Sequence, residues 1–422
     1  MATRWQKDLK FQVDFKKILE SDQSIALIAQ AVRVSLLAFY LVLSTRMLGA
    51  EGYGHIVVAI SISTFFIQFV GLGSGLANIR DASRNPDTFS RAWGIAFVRY
   101  FTSGILLAVA YIALGVFFVG DEMSWLVWTL VAVSEVLIFP ISIVSVYAFM
   151  SYGMVRRALV IQVIAPLLKT GILFFGFLAL EKLSVEDYVL IMFFSSTLAS
   201  ILCVFFAFRL LPPISWPSLF QAWKVRSDIL YPINSLTNQG VAEGSKPVTM
   251  LLYGAYEAGH FGAAMRVVSA LAMPVTSVIQ SQAYRLFSYG NSIKNEHFIF
   301  LVRYSLFFFI YSLACFSVIW FLSEYIEVLL GDGFENVSNL VLVLTVWLPA
   351  YSLRQIIGAV LTTTDKTGSR ILLDILSFFF FLWLMLYSFP GHGPMGTAIS
   401  VVISEYLWCA LSFGVFYFLK RR

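Results

Sequence analysis

Long apolar runs separated by short charged connections repeat along the whole chain, and their length is the first guide to structure. A helix that crosses a bilayer needs about 20 mostly apolar residues. Twelve runs meet that measure, at approximately 24–47, 53–77, 94–119, 124–149, 158–180, 188–211, 229–252, 261–282, 301–323, 339–361, 371–389 and 396–418. We number them spans one to twelve. The connections are too short to hold an inserted soluble domain. The longest are the N-terminal segment, the stretch 212–228 with its breakers Pro212, Pro213 and Pro217, and the loop 283–300. The expected fold class is an all-α polytopic membrane protein.

Composition agrees with that pattern. Of 422 residues 59% are hydrophobic and only 13% charged, with a mean hydropathy of +0.82, which excludes a cytosolic enzyme, a nucleic-acid binder and a disordered chain. The net charge of +5 and pI near 9.0 follow from the positive-inside bias of membrane loops. With both termini cytoplasmic, 21 Lys and Arg fall in inner segments, Arg370 among them, and only Lys182 falls outside. This asymmetry predicts a multi-pass membrane protein with both ends inside. The first apolar run has no small-residue cleavage site behind it and is expected to stay in the mature protein. Cys203, Cys315 and Cys409 each lie within an apolar run and read as packing residues, without a disulfide framework or metal spacing.

An internal repeat is present. The turn after span one reads Gly49-Ala-Glu-Gly-Tyr-Gly-His-Ile56 and that after span seven Gly254-Ala-Tyr-Glu-Ala-Gly-His-Phe261, matching at four of eight positions with an offset of 205. Chance agreement of two small-residue turns is the plain alternative. A six-plus-six duplication explains more, because an even number of spans per half keeps both halves in one orientation about an axis along the membrane normal. The expected organisation is a cytoplasmic amphipathic segment 1–22, an N-lobe 23–211 with spans one to six, a cytoplasmic linker 212–228 and a C-lobe 229–422 with spans seven to twelve. Transporters built this way place substrate between the halves.

Charged residues inside spans cost roughly 2.5–3.5 kcal/mol each at mid-bilayer and normally face a bundle interior or a wet cavity. The chain has Arg33 in span one, Glu135 in span four, Lys169 in span five, Glu243 and Lys246 in span seven, Arg266 in span eight, Arg354 in span ten, Asp374 in span eleven and Glu405 in span twelve. Gln30, Arg33, Tyr40 and Ser44 share one face of span one; Ser235, Asn238, Gln239, Glu243 and Lys246 share one of span seven; Arg266, Ser269, Thr276 and Ser277 share one of span eight. Gly71 and Gly75 of span two read equally well as close helix packing. Arg33, Lys169, Lys246, Arg266 and Arg354, with Gln30, Asn238 and Gln239, are therefore candidate substrate-binding residues, and cations around a dry cavity suit a phosphate or carboxylate. The alternative is that each cation simply neutralises a buried acid, as Lys246 can do for Glu243 three residues away.

Glu135, Glu243, Asp374 and Glu405 are candidates for coupling to H+ or Na+, or else neutralise those cations; no other cofactor or metal is implied. His55 and His260 sit at matching repeat positions and read as interfacial turn residues. Arg46 and Arg99, near span ends, are expected to snorkel to the interface. Pro140, Pro166, Pro247, Pro274 and Pro349 lie inside spans, where each deletes a helix hydrogen bond. The stretch from Trp5 to Leu19 reads as a basic amphipathic helix on the inner leaflet. No phosphate-cradling loop, metal cluster or nucleophile elbow is present.

Leu48-Gly-Ala-Glu-Gly-Tyr-Gly54, Val70-Gly-Leu-Gly-Ser-Gly-Leu76, the run Tyr253 to Arg266, and Leu330-Gly-Asp-Gly-Phe334, in register with twelve spans, resemble the bacterial polysaccharide-biosynthesis (O-antigen) flippases of the multidrug/oligosaccharidyl-lipid/polysaccharide exporter superfamily. The similarity covers nearly the whole chain. It implies two six-helix lobes in a V and export of an undecaprenyl-pyrophosphate-linked oligosaccharide by alternating access, coupled to a proton or sodium gradient. The expected partners are that lipid-linked glycan, the bilayer and other polysaccharide-assembly proteins. The multidrug antiporters of the same superfamily are the alternative, some of which carry an acid in the seventh helix as Glu243 does. A glycosyltransferase or polymerase of the pathway fits less well, for want of a sizeable outer loop.

Overall fold

The computed structural model describes residues 22–119, 123–180, 182–224, 229–288, 295–364 and 366–421; the amphipathic helix expected before residue 20 lies outside them. Ten helices among them are long and apolar enough to cross a membrane. The first runs Asp22–Phe69, 48 residues, with a non-helical break at Gly49 (φ 67°, ψ 179°). At 1.5 Å per residue it would measure about 72 Å unbroken, more than twice a bilayer core, so its two arms are separate crossings, spans one and two. The helix Leu230–Tyr253 is long enough to cross, at roughly 36 Å, but too polar to stand among the ten, because it carries the Asn238 to Lys246 stripe. It is span seven.

The remaining spans are the helices Phe89–Val119, Val155–Ala179, Val185–Leu210, Ala255–Ser288 and Asn295–Leu330, three that are interrupted or irregular, and span twelve. Span four passes through a π-helical stretch, Ala132–Ile138, just before Pro140. Span ten breaks at Val346, between Val337–Thr345 and Trp347–Thr363, where Pro349 has no N–H to offer the Thr345 carbonyl. Span eleven, Thr367–Trp383, ends in π-helical turns, and span twelve is Gly393–Arg421.

Span two is interrupted at Val70–Gly73, where Gly71, Leu72 and Gly73 all take positive φ, before helix resumes over Ser74–Arg84. The Gly71 N–H is satisfied by Ser103 Oγ at 2.8 Å, and a β-carbon at Gly71 would lie 2.1 Å from the Tyr100 ring. The glycines of the 70–76 motif thus make a packed backbone break.

Spans one to six and seven to twelve form two lobes. In the first, Thr170 of span five donates to the Leu36 carbonyl of span one at 3.1 Å, and Tyr188 of span six donates to Tyr40 at 2.6 Å. In the second, spans seven, ten, eleven and twelve share a buried polar network described below. Among the described residues every element is helical.

Candidate functional site

The two lobes meet at the hairpins predicted by the repeat. Gly49 and its counterpart Gly254 have the same unusual backbone, φ 67° and ψ 179° against φ 90° and ψ 173°, which only glycine adopts without strain. Five residues on, Gly54 and Gly259 make a reciprocal crossing. A β-carbon on Gly54 would sit 1.8 Å from the Ala255 carbonyl oxygen, and one on Gly259 2.0 Å from that of Ala50. Backbone therefore touches backbone, and the repeated Gly-Ala-x-x-x-Gly spells a self-complementary contact.

The Gly331-Asp-Gly-Phe334 turn secures this end. Phe334 is fully buried, with Tyr53 of the first hairpin and His260 of the second at ring separations of 6.2 and 5.4 Å. Arg46 of span one donates to the Val328 and Leu329 carbonyls, at 2.7 and 3.0 Å, at the end of span nine. Arg46, itself exposed, thus caps a helix of the other lobe. Arg99, expected to snorkel, is instead 2% exposed and donates to the carbonyl of Ala222, the buried residue of the short helix Leu219–Lys224, at 2.9 Å. His260 is likewise buried, with Nδ1 3.0 Å from the Tyr256 carbonyl.

Three charged groupings lie further along the spans. In the N-lobe the π-helical turn presents Glu135 to Lys169 at 2.6 Å, with Ser196 donating to the same oxygen at 3.2 Å and the Phe139 ring under the ammonium. In span seven, Lys246 meets Glu243 at 2.6 Å, facing Ser61 of span two. In the C-lobe, Arg354 bridges Asp374 at 2.8 Å and Glu405 at 2.9 Å, all at 2% exposure or less. Its guanidinium also donates to the Asn238 carbonyl and lies over the Trp408 ring. Asp374 accepts further bonds from Trp408 Nε1 at 2.8 Å and Thr237 at 3.2 Å.

Arg370 belongs to this C-lobe network. It is 8% exposed and donates to Asn238 Oδ1 at 3.0 Å and to Thr362 at 3.1 Å. Its assignment to an inner loop was therefore wrong: helix begins at Thr367 and turns the side chain inward. Gln355 also donates to Asn238. Arg370, Trp408, Thr237 and Ser196 were not among the candidates; the polar character of spans eleven and twelve around Asp374 was the available signal.

All four candidate acids are thus paired. Arg33 and Arg266, both half-buried, make no ion pair among the described residues. Arg266 lies within electrostatic reach of Tyr40, Tyr53, Tyr188 and Glu243, the first and third of which are joined to each other and to Ser44. Arg370 also lacks an ion pair but lies within electrostatic reach of Asp374, in a C-lobe network of two arginines and two acids; Arg266 reaches Glu243, already bound to Lys246, only at longer range, and no acid among the described residues stands against Arg33. Measured along their helices from Gly49 and Gly254, Arg33 and Arg266 lie about 24 and 18 Å from the hairpin end. Gln30 and Gln239 are half-buried, while Asn238 is committed to the C-lobe network.

No family model and no curated protein matches the chain. In fold it is similar to solved structures of membrane transporters. One is an inward-facing multidrug resistance MATE family transporter of the MOP superfamily, at 13% identity and TM-score 0.72, covering 94% of this chain and 99% of that one. Another is the MATE multidrug transporter DinF-BH, at 15% identity and TM-score 0.68, covering 94% of each. A third is the lipid II flippase MurJ in an inward closed conformation, at 14% identity and TM-score 0.67, covering 92% and 87%. The chain therefore shares the V-shaped, two-lobe fold of these structures, and its membrane-length helices make it a multi-pass membrane protein.

Proposed function

We propose that the protein is a flippase for an anionic, lipid-linked oligosaccharide, of the undecaprenyl-pyrophosphate type used for O-antigen and related polysaccharides, in the bacterial inner membrane with both termini cytoplasmic. The observation that carries this reading is the uncompensated charge. Among the described residues the four candidate acids are each bound to a cation, whereas Arg33 and Arg266 have no ion pair and stand outside the C-lobe network in which Arg354 and Arg370 are balanced by Asp374 and Glu405. A guanidinium held half-buried without a counter-ion is costly, and a pyrophosphate supplies the missing charge with forked hydrogen bonds. Lys246 and Lys169 stand close to their own acids and contribute as the second rank of the site, while Arg354 holds the C-lobe together.

Alternating access follows from the hairpin contact. Closed at Gly54 and Gly259, the lobes block one end; parting there opens it. Coupling to H+ or Na+ would act by releasing an acid from its cation, and Glu135 and Glu243, each with one cationic partner, are the places for it.

Multidrug antiport is the second reading, favoured by an aromatic cavity between the lobes. A cationic drug, however, would meet two unpaired guanidinia. The test is binding in nanodiscs of an undecaprenyl-pyrophosphate oligosaccharide and of a lipophilic cation. We expect the pyrophosphate to bind, and Arg266→Gln and Arg33→Gln each to weaken it at least tenfold. Binding of the cation alone, untouched by either substitution, would overturn the assignment.

A further inference from the structure

Between the lobes, spans two and three face spans seven and eleven across a cavity of about 450 Å³. Phe65, Phe66 and Phe69 line one side, Gly240, Phe378 and Phe379 the other, and Asp374 and Thr237 are its polar members. Their polar atoms are turned to partners of the protein: Asp374 Oδ1 accepts from Arg354 and Trp408, and Oδ2 from Thr237, and the wall they present to the cavity is apolar. The cavity therefore offers its occupant only hydrocarbon and ring faces. Phe379 and Ile375 at its margin are 63% and 38% exposed, so on a membrane-embedded helix the margin faces lipid.

Its position relative to the charged groups defines what it can hold. Gly240 lies one turn from Glu243 and six residues from Lys246 on the same helix, about 9 Å along span seven, and Arg266 is within electrostatic reach of Glu243. An unpaired cation and an aromatic cavity thus occupy neighbouring stretches of one seam, an arrangement matched by a molecule with an anionic head and an apolar chain.

We propose that this phenylalanine-lined cavity holds the head-proximal isoprenoid chain of the lipid-linked substrate while Arg266 holds its pyrophosphate, an inference that rests on the flippase reading. The chain enters from the lipid side past Phe379 and Ile375. Gly240 is small because the chain passes it: a β-carbon there would meet only Phe378, at 3.7 Å, so a larger side chain fits the helix and projects into the cavity.

The experiment compares three probes on the full chain in nanodiscs: undecaprenyl pyrophosphate, the five-carbon dimethylallyl pyrophosphate with the same head, and uncharged polyprenol. Gly240→Leu should raise the dissociation constant of the long pyrophosphate at least tenfold and that of the short one less than twofold. Leu236→Gln, which puts a polar group on the cavity wall, should act in the same direction. Equal weakening of both pyrophosphates, or no change in either, would overturn the cavity assignment. If the native chain binds polyprenol in a Gly240→Leu-sensitive manner but neither pyrophosphate, the cavity assignment stands and the anionic-substrate reading falls. If Gly240→Leu displaces only a lipophilic cation, the occupant is a drug and the proposal is wrong.

Discussion

Replacing Gly54 by alanine tests whether the hairpin crossing is a gate that opens or a permanent joint. The added methyl would lie 1.8 Å from the Ala255 carbonyl oxygen, where real contacts do not fall below 3.0 Å. The hairpins must therefore part by at least about 1.2 Å, and because both sides are backbone no rotamer change can relieve the clash. Overpacking of this kind costs about 1–3 kcal/mol, and each 1.4 kcal/mol is a factor of ten in population. The cost is borne only while the lobes touch at this end, so the closed population should fall between about fivefold and over a hundredfold relative to the parted one. Spin labels on cysteines at Glu51 and Tyr256, both exposed, read the separation by pulsed electron resonance. Gly54→Ala should add or enlarge a long-distance component, and Gly259→Ala, blocked at 2.0 Å by Ala50, should do the same. A lowered melting temperature with an unchanged distance distribution would refute the gate and leave a fixed structural joint.

Other consequences are equally direct. Arg354→Met leaves Asp374 and Glu405 buried without a cation and should cost about 3–5 kcal/mol, read by thermal unfolding in detergent; adding Asp374→Asn and Glu405→Gln should recover part of it, and a loss under about 1 kcal/mol would contradict the network. A double-mutant cycle on Glu135→Gln and Lys169→Met should give a coupling energy of about 0.5–3 kcal/mol, and strict additivity would mean the pair is not formed in the membrane. Gly71→Ala combines a positive φ with a contact at Tyr100; Tyr100→Ala should rescue its stability only in part, since the backbone strain remains, and full rescue would show that strain to be negligible.

Much of the architecture was legible in residue order because bilayer thickness imposes a ruler that soluble proteins lack. The spans, the repeat and the special glycines follow from apolar length and from Gly49 and Gly254 at matching turns. The partners of the charges were not legible. Lys246 and Glu243 share a helix and could be paired by spacing, but Arg354 reaches Asp374 and Glu405 over 20 and 51 residues, a distance only the packed lobe closes. Arg370 was misplaced because it stands at the start of a helix, where one turn separates an inner loop from a buried network. Arg99 was misread for a related reason: a long cation near a span end can reach the interface or a neighbouring helix, and only tertiary structure chooses.

The most direct measurement is transport itself. The protein is reconstituted in liposomes, and the transbilayer movement of an undecaprenyl-pyrophosphate oligosaccharide is followed by a lectin or hydrolase that reaches one leaflet only. The native chain should accelerate that movement over protein-free liposomes, and Arg33→Gln with Arg266→Gln should abolish it while the protein stays folded and monodisperse. Movement at the protein-free rate, or undiminished movement in the doubly substituted protein, would contradict the claim that an uncompensated arginine pair carries an anionic lipid-linked substrate.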